Sequence, residues 1–181
     1  MKRGMFRGSG TTASAKAYVG PEGGQIHCDS LSYTDDDAGL LKFYLAKQKT
    51  SANAACSASA TLVIDTDSAG KVGGAVLTTN DYVLVADSSG TGWQLRSISN
   101  VAAVSSSTVS LTLGTAATCA ADDLIYVVRA ADIHSITTAA ETKTNLLNLF
   151  SSYEMMPVAV ELTSNSTGSH FFSGTYHVER V

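Results

Sequence analysis

Two acidic segments carry the oxygen ligands that a hard cation prefers. Residues 65–70 read D-T-D-S-A-G and match the opening of a calcium loop, with oxygen ligands at positions one and three and glycine at six. Such a loop needs a bidentate acid at position twelve, and that position is Val76. Asp35, Asp36 and Asp37 are three adjacent carboxylates, whose mutual repulsion a cation would relieve. In both segments we favour an ordinary solvated turn, and we expect no metal site.

The histidines offer no recognisable metal motif. They are His27, His134, His170 and His177. None belongs to an H-E-x-x-H pattern or lies within four residues of another. His170 and His177 flank one predicted hairpin, and they would share a sheet face only if a bulge intervened.

The cysteines are Cys28, Cys56 and Cys119, an odd number with no C-x-x-C spacing. This pattern argues against a disulfide framework and against a zinc knuckle. It favours buried free thiols in a protein that is made in a reducing cytoplasm.

Motifs for nucleophilic or phosphate chemistry are also missing from the sequence. There is no G-x-S-x-G elbow, no G-x-x-x-x-G-K-[ST] loop and no G-x-G-x-x-G turn. The sequence offers no pocket with two or more clustered titratable groups, which a hydrolase would need. We therefore expect no catalytic residue, no cofactor and no enzymatic activity.

The segment 80–130 is the part of the chain that most clearly predicts structure. Its four apolar stretches, each closed by a turn cluster, lie at 81–87, 92–101, 108–113 and 123–129. Val83 and Val85, and then Val109 and Leu111, alternate with polar residues. Period-two alternation in short strands predicts an antiparallel barrel or sandwich with one buried face. Trp93 is expected in its core.

Other elements surround this four-strand unit. Strands are expected at 25–33, at 40–47 and within the segment T-L-V-I-D-T that follows a Ser/Ala-rich stretch. Thr138 and Glu141 form a capping box before leucines at helical spacing, so we predict one short helix at about 139–152 that lies on the sheet. Residues 157–181 are predicted to form a closing hairpin.

The N-terminal segment 1–24 differs from the rest of the chain in charge. Its cations are Lys2, Arg3, Arg7 and Lys16, four of the twelve in the protein. Residues 17–181, which are 165 in number, hold the other eight cations and all sixteen acids. We predict an extended, mobile N-terminal arm that precedes one β-rich domain at 25–181. In this arm, Lys2, Arg3, Phe6 and Arg7 are the expected partner-binding residues.

Composition limits the classes of partner. Only 15% of residues are charged, and mean hydropathy is +0.10. The body of the protein is acidic and the arm holds few cations, so a protein partner is favoured over nucleic acid. No run of 18 apolar residues and no signal-peptide core is present in the sequence, so neither a membrane span nor secretion is expected.

The pattern of strand lengths and turns in the four-strand unit resembles that of small barrel modules in structural proteins of tailed bacteriophages. It is carried by the segments D-Y-V-L-V-A-D, G-W-Q-L-R-S-I-S-N-V, S-T-V-S-L-T-L and D-D-L-I-Y-V-V. It is most similar to capsid decoration (cement) proteins. This resemblance implies a virion structural protein, made in the host cytoplasm. Such a protein docks on the major capsid protein, bridges neighbouring subunits and associates with itself as a homotrimer. A tail-tube or head–tail connector subunit is the alternative within the same class.

A host-surface or carbohydrate-binding module is the alternative from another class. Such a module binds through exposed aromatic side chains. Phe171, Phe172 and Tyr176 are the candidates for that role.

Overall fold

The computed structural model describes residues 2–10, 14–90, 92–136, 141–164 and 168–180, except for the side chains of 131–136 and 141–145. All regular secondary structure in these residues is β, and the strand pairings are antiparallel. The strands are β1 (Lys2–Gly10), β2 (Ser14–Val19), β3 (Gln25–Asp35), β4 (Gly39–Ser51), β5 (Cys56–Asp65), β6 (Lys71–Val72), β7 (Ala75–Val76), β8 (Tyr82–Asp87), β9 (Gly92–Val101), β10 (Thr108–Cys119), β11 (Leu124–Ile136), β12 (Glu141–Leu147), β13 (Val158–Ser164) and β14 (His170–Glu179). The predicted mainly β, antiparallel class is confirmed, but the sheets are open and form no closed barrel.

The chain divides into two compact units, where the sequence analysis predicted one domain. The terminal unit consists of Met1–Leu45 and Ala130–Val181, and the central unit of Ala46–Arg129. Strands β4 and β11 each contribute residues to both units.

The terminal unit is a two-layer β sandwich. Its front sheet has the strand order β1-β14-β3-β12, and its rear layer has the order β2-β13-β4. Buried side chains of both layers meet in one core, as Ile26 and Phe172 of the front sheet and Phe43 and Val160 of the rear layer show. Alternation along β14 places every second residue, from His170 to Val178, in this interior.

Strands β1 and β14 fit together through glycines that face aromatic rings. Gly4 pairs with Tyr176, Phe6 with Gly174, and Gly8 with Phe172. A Cβ atom at Gly174 would lie 2.3 Å from the Phe6 ring, and one at Gly8 would lie 2.4 Å from the Phe172 ring. Each ring therefore occupies the space that a side chain on the opposite strand would need.

The predicted mobile arm is wrong for the described part of 1–24. Strand β1 pairs with β14 from Lys2–Val178 to Gly10–His170, and β2 pairs with β13. The prediction relied on the composition of the segment and overlooked the apolar side chain of Phe6. This side chain is only 4% exposed and packs against Phe150 and Phe172 at ring-centroid distances of 6.1 and 6.3 Å. Backbone pairing and this buried ring hold the segment on the body of the protein.

The predicted helix at 139–152 is also wrong where the structure describes it. Glu141–Leu147 is strand β12, which pairs with β3, while residues 139 and 140 lie outside the described residues. The spacing of Leu146, Leu149 and Phe150 mimics a helical face, but Asn148 has a φ of +52° and ends the strand. The chain then turns Phe150 into the core. The tertiary pairing of β12 with the edge of β3 overrides the local helical pattern.

Strands β13 and β14 exist as expected, but they do not form a hairpin. Strand β13 pairs with β2 and β4 in the rear layer, whereas β14 pairs with β1 and β3 in the front sheet. The two strands therefore belong to different layers. The C-terminal strand therefore has a neighbour on both sides, and the strands that end the front sheet are β1 and β12.

The central unit contains the predicted four-strand unit. Its strands follow the order β11-β8-β9-β10-β5, and β6 and β7 form a separate two-stranded ribbon. The core consists of aliphatic side chains such as Val83, Leu111 and Ile125. Trp93 is only half-buried and lies beside Tyr126 at a centroid distance of 5.9 Å, so the expectation of a core tryptophan holds only in part.

All three cysteines are free and buried, as predicted.

Among the residues that the structure describes, no helix is long and apolar enough to cross a membrane.

Candidate interaction face

The outer face of the front sheet collects residues from four strands in regular rows. We define the outer face as the solvent-side residues of β1, β14, β3 and β12 in this register. One row contains Met5, Thr175, Ser30 and Leu147, and the next contains Arg7, Ser173 and Ser32. The hydroxyl groups of Ser30 and Thr175 form a hydrogen bond, with 2.8 Å between the two oxygen atoms. The middle of the face is therefore built from short hydroxyl side chains, which leave it flat.

Three apolar side chains project from this flat surface. Met5 is 83% exposed, Leu147 is 63% exposed and Phe171 is 46% exposed. Met5 and Leu147 stand at the two ends of the same row, because Thr175 and Ser30 separate them. A shallow groove of about 450 Å³ passes between Met5, Arg7 and Phe171 over the serines. Exposed apolar side chains beside a groove are typical of a surface that binds another macromolecule.

Two of the four predicted partner-binding residues lie on this face. Arg3 and Arg7 are exposed on β1, on the same side as Met5, because side chains of a strand alternate. Neither arginine has an ion-pair or hydrogen-bond partner among the residues that the structure describes. Their guanidinium groups are available to bind a carboxylate in a bidentate way.

The other two predicted residues are engaged within the protein. Phe6 is part of the terminal core, so it cannot also enter a pocket on a partner. Lys2 forms an ion pair with Glu22, which raises the pKa of the Lys2 ammonium through that hydrogen bond and charge. Burial, and then Glu22, raises the pKa of the neighbouring Tyr176 hydroxyl. Lys16, which also belonged to the predicted arm, pairs with Glu161 at 3.2 Å.

The end of the face next to Arg3 carries two histidines in contact. His27 and His177 are register partners, and their rings stack at a centroid distance of 5.0 Å. Asp29 accepts a bond from His177 Nδ1 at 2.5 Å, because a bulge between β3 and β14 places this carboxylate beside the ring. The sequence analysis did not bring these two histidines together. Their spacing in the sequence does not indicate this contact, because the contact depends on the pairing of β3 with β14.

His27 also contacts a serine and a carboxylate, an arrangement that invites comparison with a hydrolytic triad. His27 Nδ1 lies 2.8 Å from Ser151 Oγ, and His27 Nε2 lies 3.4 Å from Glu179 Oε2. A serine nucleophile also needs backbone amides aimed at the developing oxyanion, typically including the amide of the next residue. That amide, of Ser152, donates to Ile26 O at 2.8 Å, so it is already used. The geometry fits a polar cluster that ties the segment after β12 to β3.

The two acidic segments are held by the protein's own donors. Asp67 Oδ1 accepts the amides of Ala69 and Lys71, at 2.9 and 2.8 Å, which is the bonding of an Asp turn. Asp35 is fully buried and lies 2.7 Å from His170 Nδ1, so the prediction that it is solvated is wrong. Among the described residues, no group of three or more His, Cys, Asp or Glu side chains is placed to hold a metal ion.

The aromatic residues considered for carbohydrate binding do not form a common surface. Phe172 and Tyr176 point into the core, while Phe171 faces outward. The residues that the sequence analysis missed are Met5 and Leu147. Alternation along 2–10 contained the signal for Met5, because the buried Phe6 next to it requires Met5 to face solvent.

No protein-family model, no curated protein and no solved structure matches this chain at a significant level.

Proposed function

We propose that this chain is a structural protein of a virion that docks on its partner through the outer face of the front sheet. The observation that carries the proposal is the pair of exposed arginines, Arg3 and Arg7, on either side of the exposed Met5 on β1. Around them lie short hydroxyl side chains, which allow a close approach of another flat surface.

The chemistry of this face defines the partner. Two guanidinium groups without a partner in the described part of the chain favour an acidic protein surface. Met5, Phe171 and Leu147 would bury apolar area against it, and they supply most of the affinity, because exposed ion pairs contribute only about 0–1 kcal/mol each. Of the residues first assigned to partner binding, Arg3 and Arg7 remain in the proposal, while Lys2 and Phe6 leave it.

The proposed partner is a major capsid protein, and the proposed place of action is the capsid surface, after synthesis in the host cytoplasm. The resemblance of 81–129 to modules of tailed-bacteriophage decoration proteins supports this class. The all-β architecture and the low content of charged residues, 15%, agree with it. A protein that binds only the assembled shell stabilises that shell by mass action, which is the function of a cement protein.

Self-association, as a homotrimer, belongs to the same proposal. Its structural support is that β1 ends the front sheet and carries the proposed contact residues. Several copies held together would present several outer faces at once, which raises the avidity for a repeating lattice. Light scattering at high protein concentration would measure the mass of the oligomer directly. A monomer at all concentrations would contradict the proposed self-association.

The test is a charge reversal on the face with a matched charge reversal elsewhere. The double variant Arg3→Glu/Arg7→Glu should lose at least about tenfold in binding to capsids that lack this chain, as measured by co-sedimentation, because two favourable charges become repulsive. The control Lys49→Glu/Lys71→Glu makes the same change of charge on the central unit.

Only the first variant should be affected. An equal loss in both would show that overall charge, and not this face, governs binding. Unchanged binding in both would contradict the proposed docking face. Far-UV circular dichroism of both variants checks that each remains folded.

A further inference from the structure

We propose that Cys56 and Cys119 are a modification site, at which a small-molecule disulfide converts two thiols into a cross-strand disulfide within the central unit. The two cysteines are register partners on β5 and β10, and their sulfur atoms lie 2.8 Å apart. Nothing in the proposed docking function requires this reaction, so each of the two proposals can be tested and rejected independently of the other.

The backbone geometry permits the bond without a large rearrangement. Residues directly opposite each other in an antiparallel pair have Cα atoms about 4.5–5.5 Å apart. Disulfides accept Cα separations of about 4.4–6.8 Å, so a register pair lies inside the allowed range. Both side chains already belong to the same apolar cluster, beside Ala52 and Ala117, and thus point to the same side of the sheet.

The position of the pair in the sheet gives a reagent a way to reach it. Strand β5 is the last strand of the central sheet, and Cys56 is its first residue. The β5–β10 ladder is interrupted twice close to the pair, between Thr112 and Ala117 and between Ala117 and Cys119. A strand end with an interrupted ladder opens locally more easily than a continuous one, and opening exposes buried thiols.

The reaction proceeds in two exchange steps that balance. The thiolate of Cys56, at 9% exposed the more accessible of the two, against 3% for Cys119, attacks one sulfur of a disulfide RSSR. A mixed disulfide forms and one RS⁻ leaves. Cys119 then loses its proton to solvent, and its sulfur attacks the Cys56 sulfur and expels the second RS⁻. Two protein thiols are oxidised to one disulfide, and RSSR is reduced to two thiols.

The same surroundings make the reaction slow near neutral pH. Burial, and then the neighbouring Cys56, raises the pKa of Cys119 to about 12. Because only the thiolate attacks, the second step should accelerate as the pH rises. The chain would thus keep its thiols in a reducing compartment and close the bond slowly after transfer to an oxidising one.

The bond would fasten the edge of the central sheet. It joins residues 63 positions apart in the sequence, and a cross-link over a long loop restricts the unfolded chain strongly. It also prevents β5 from separating from β10 at this end of the sheet.

The experiment uses the full chain, incubated under native conditions with oxidised glutathione or with dithiothreitol, and then unfolded and alkylated. The reduced protein should show three free thiols and the oxidised protein one, Cys28. Peptide mapping should find Cys56 linked to Cys119, and the oxidised form should melt several degrees higher. The rate of thiol loss should rise from pH 7 to pH 9.

Matched variants separate the pair from the third cysteine. Cys28→Ala should still lose two thiols, whereas Cys56→Ser and Cys119→Ser should form no intramolecular disulfide and gain no stability on oxidation. If a serine variant fails to fold, the peptide map of the unsubstituted chain still decides. Three remaining thiols, a stable glutathione adduct on Cys56, a link to Cys28 or a link between two chains would each overturn the proposal.

Discussion

The cores of the two units are filled by different kinds of side chain. The terminal core contains aromatic rings, namely those of Phe6, Tyr33, Phe43, Phe150, Phe172 and Tyr176. The described residues of the central core are Val, Leu, Ile, Ala and two Cys, with no aromatic ring. A ring needs a space of matching shape, whereas short aliphatic side chains fill a sheet interface in many combinations. The terminal unit therefore depends on particular pairs of residues, and the central unit depends on a general apolar pattern.

Phe6 offers the sharpest test of this difference, and it has the largest expected effect. Phe6→Ala should lower the free energy of unfolding by about 3–5 kcal/mol, because it leaves a cavity between Phe150 and Phe172 and above Gly174. Urea unfolding monitored by circular dichroism measures the change.

The matched control is Phe171→Ala, one position from Phe172 on β14 but on the solvent side. It should cost much less, because Phe171 is 46% exposed. If Phe6→Ala were as mild as Phe171→Ala, the N-terminal segment would be a mobile arm after all, and its pairing with β14 would be unimportant for stability.

Asp81 tests whether a polar contact in the central unit is as specific as the ring contacts of the terminal one. Burial raises the pKa of Asp81, but hydrogen bonds from Arg129 and Thr78 outweigh burial and leave the pKa below its ordinary value. Arg129 Nε donates to Oδ1 at 2.6 Å, and the Thr78 amide and hydroxyl donate to Oδ2 at 2.8 and 2.9 Å. Asp81→Asn should cost about 1–3 kcal/mol at pH 7, because the amide cannot accept all of these bonds.

The sign of the pH dependence follows from the lowered pKa. The stabilisation from Asp81 is fully present above the pKa of an unfolded Asp, about 4, and is lost as the pH falls through the lower folded value. The difference between the wild type and Asp81→Asn in urea unfolding should therefore shrink from pH 7 to pH 3. Asp122→Asn, at an exposed turn position with a φ of +67°, is the control. A difference that stays constant down to pH 3 would mean that the charge of Asp81 contributes nothing.

The difference between the units also explains which parts of the fold were predictable from the sequence. Strands β8, β9, β10 and β11 follow one another through short turns, so alternation and turn residues were sufficient to predict them. Strand β1 pairs with β14, whose residues lie at the other end of the sequence. Propensity and spacing describe local structure, and they do not state which distant strands meet.

A signal for that distant pairing was nevertheless present in the residues. Read in opposite directions, the segments G-M-F-R-G at 4–8 and F-S-G-T-Y at 172–176 place each ring opposite a glycine. In the candidate site, Arg3 and Arg7 were predictable from charge. The burial of Phe6 and the exposure of Met5 required knowledge of which strand β1 pairs with. The stacked histidines required both that pairing and the bulge at Asp29.

Met5 gives the smallest expected effect on stability, and it completes the comparison within a single strand. Met5 and Phe6 are neighbours on β1, but Met5 is 83% exposed and Phe6 is 4% exposed. Met5→Thr should change the free energy of unfolding by no more than about 0.5 kcal/mol, because it removes no buried contact and introduces a residue that suits a strand. The same substitution should weaken co-sedimentation with capsids, because it removes exposed apolar area from the proposed docking face. Val76→Thr is the control, since Val76 is a 60% exposed apolar residue of the central unit.

A loss of binding with unchanged stability for Met5→Thr alone separates the two faces of β1 into a binding side and a core side. A large loss of stability would instead place Met5 in an intramolecular contact and remove it from the proposed interface.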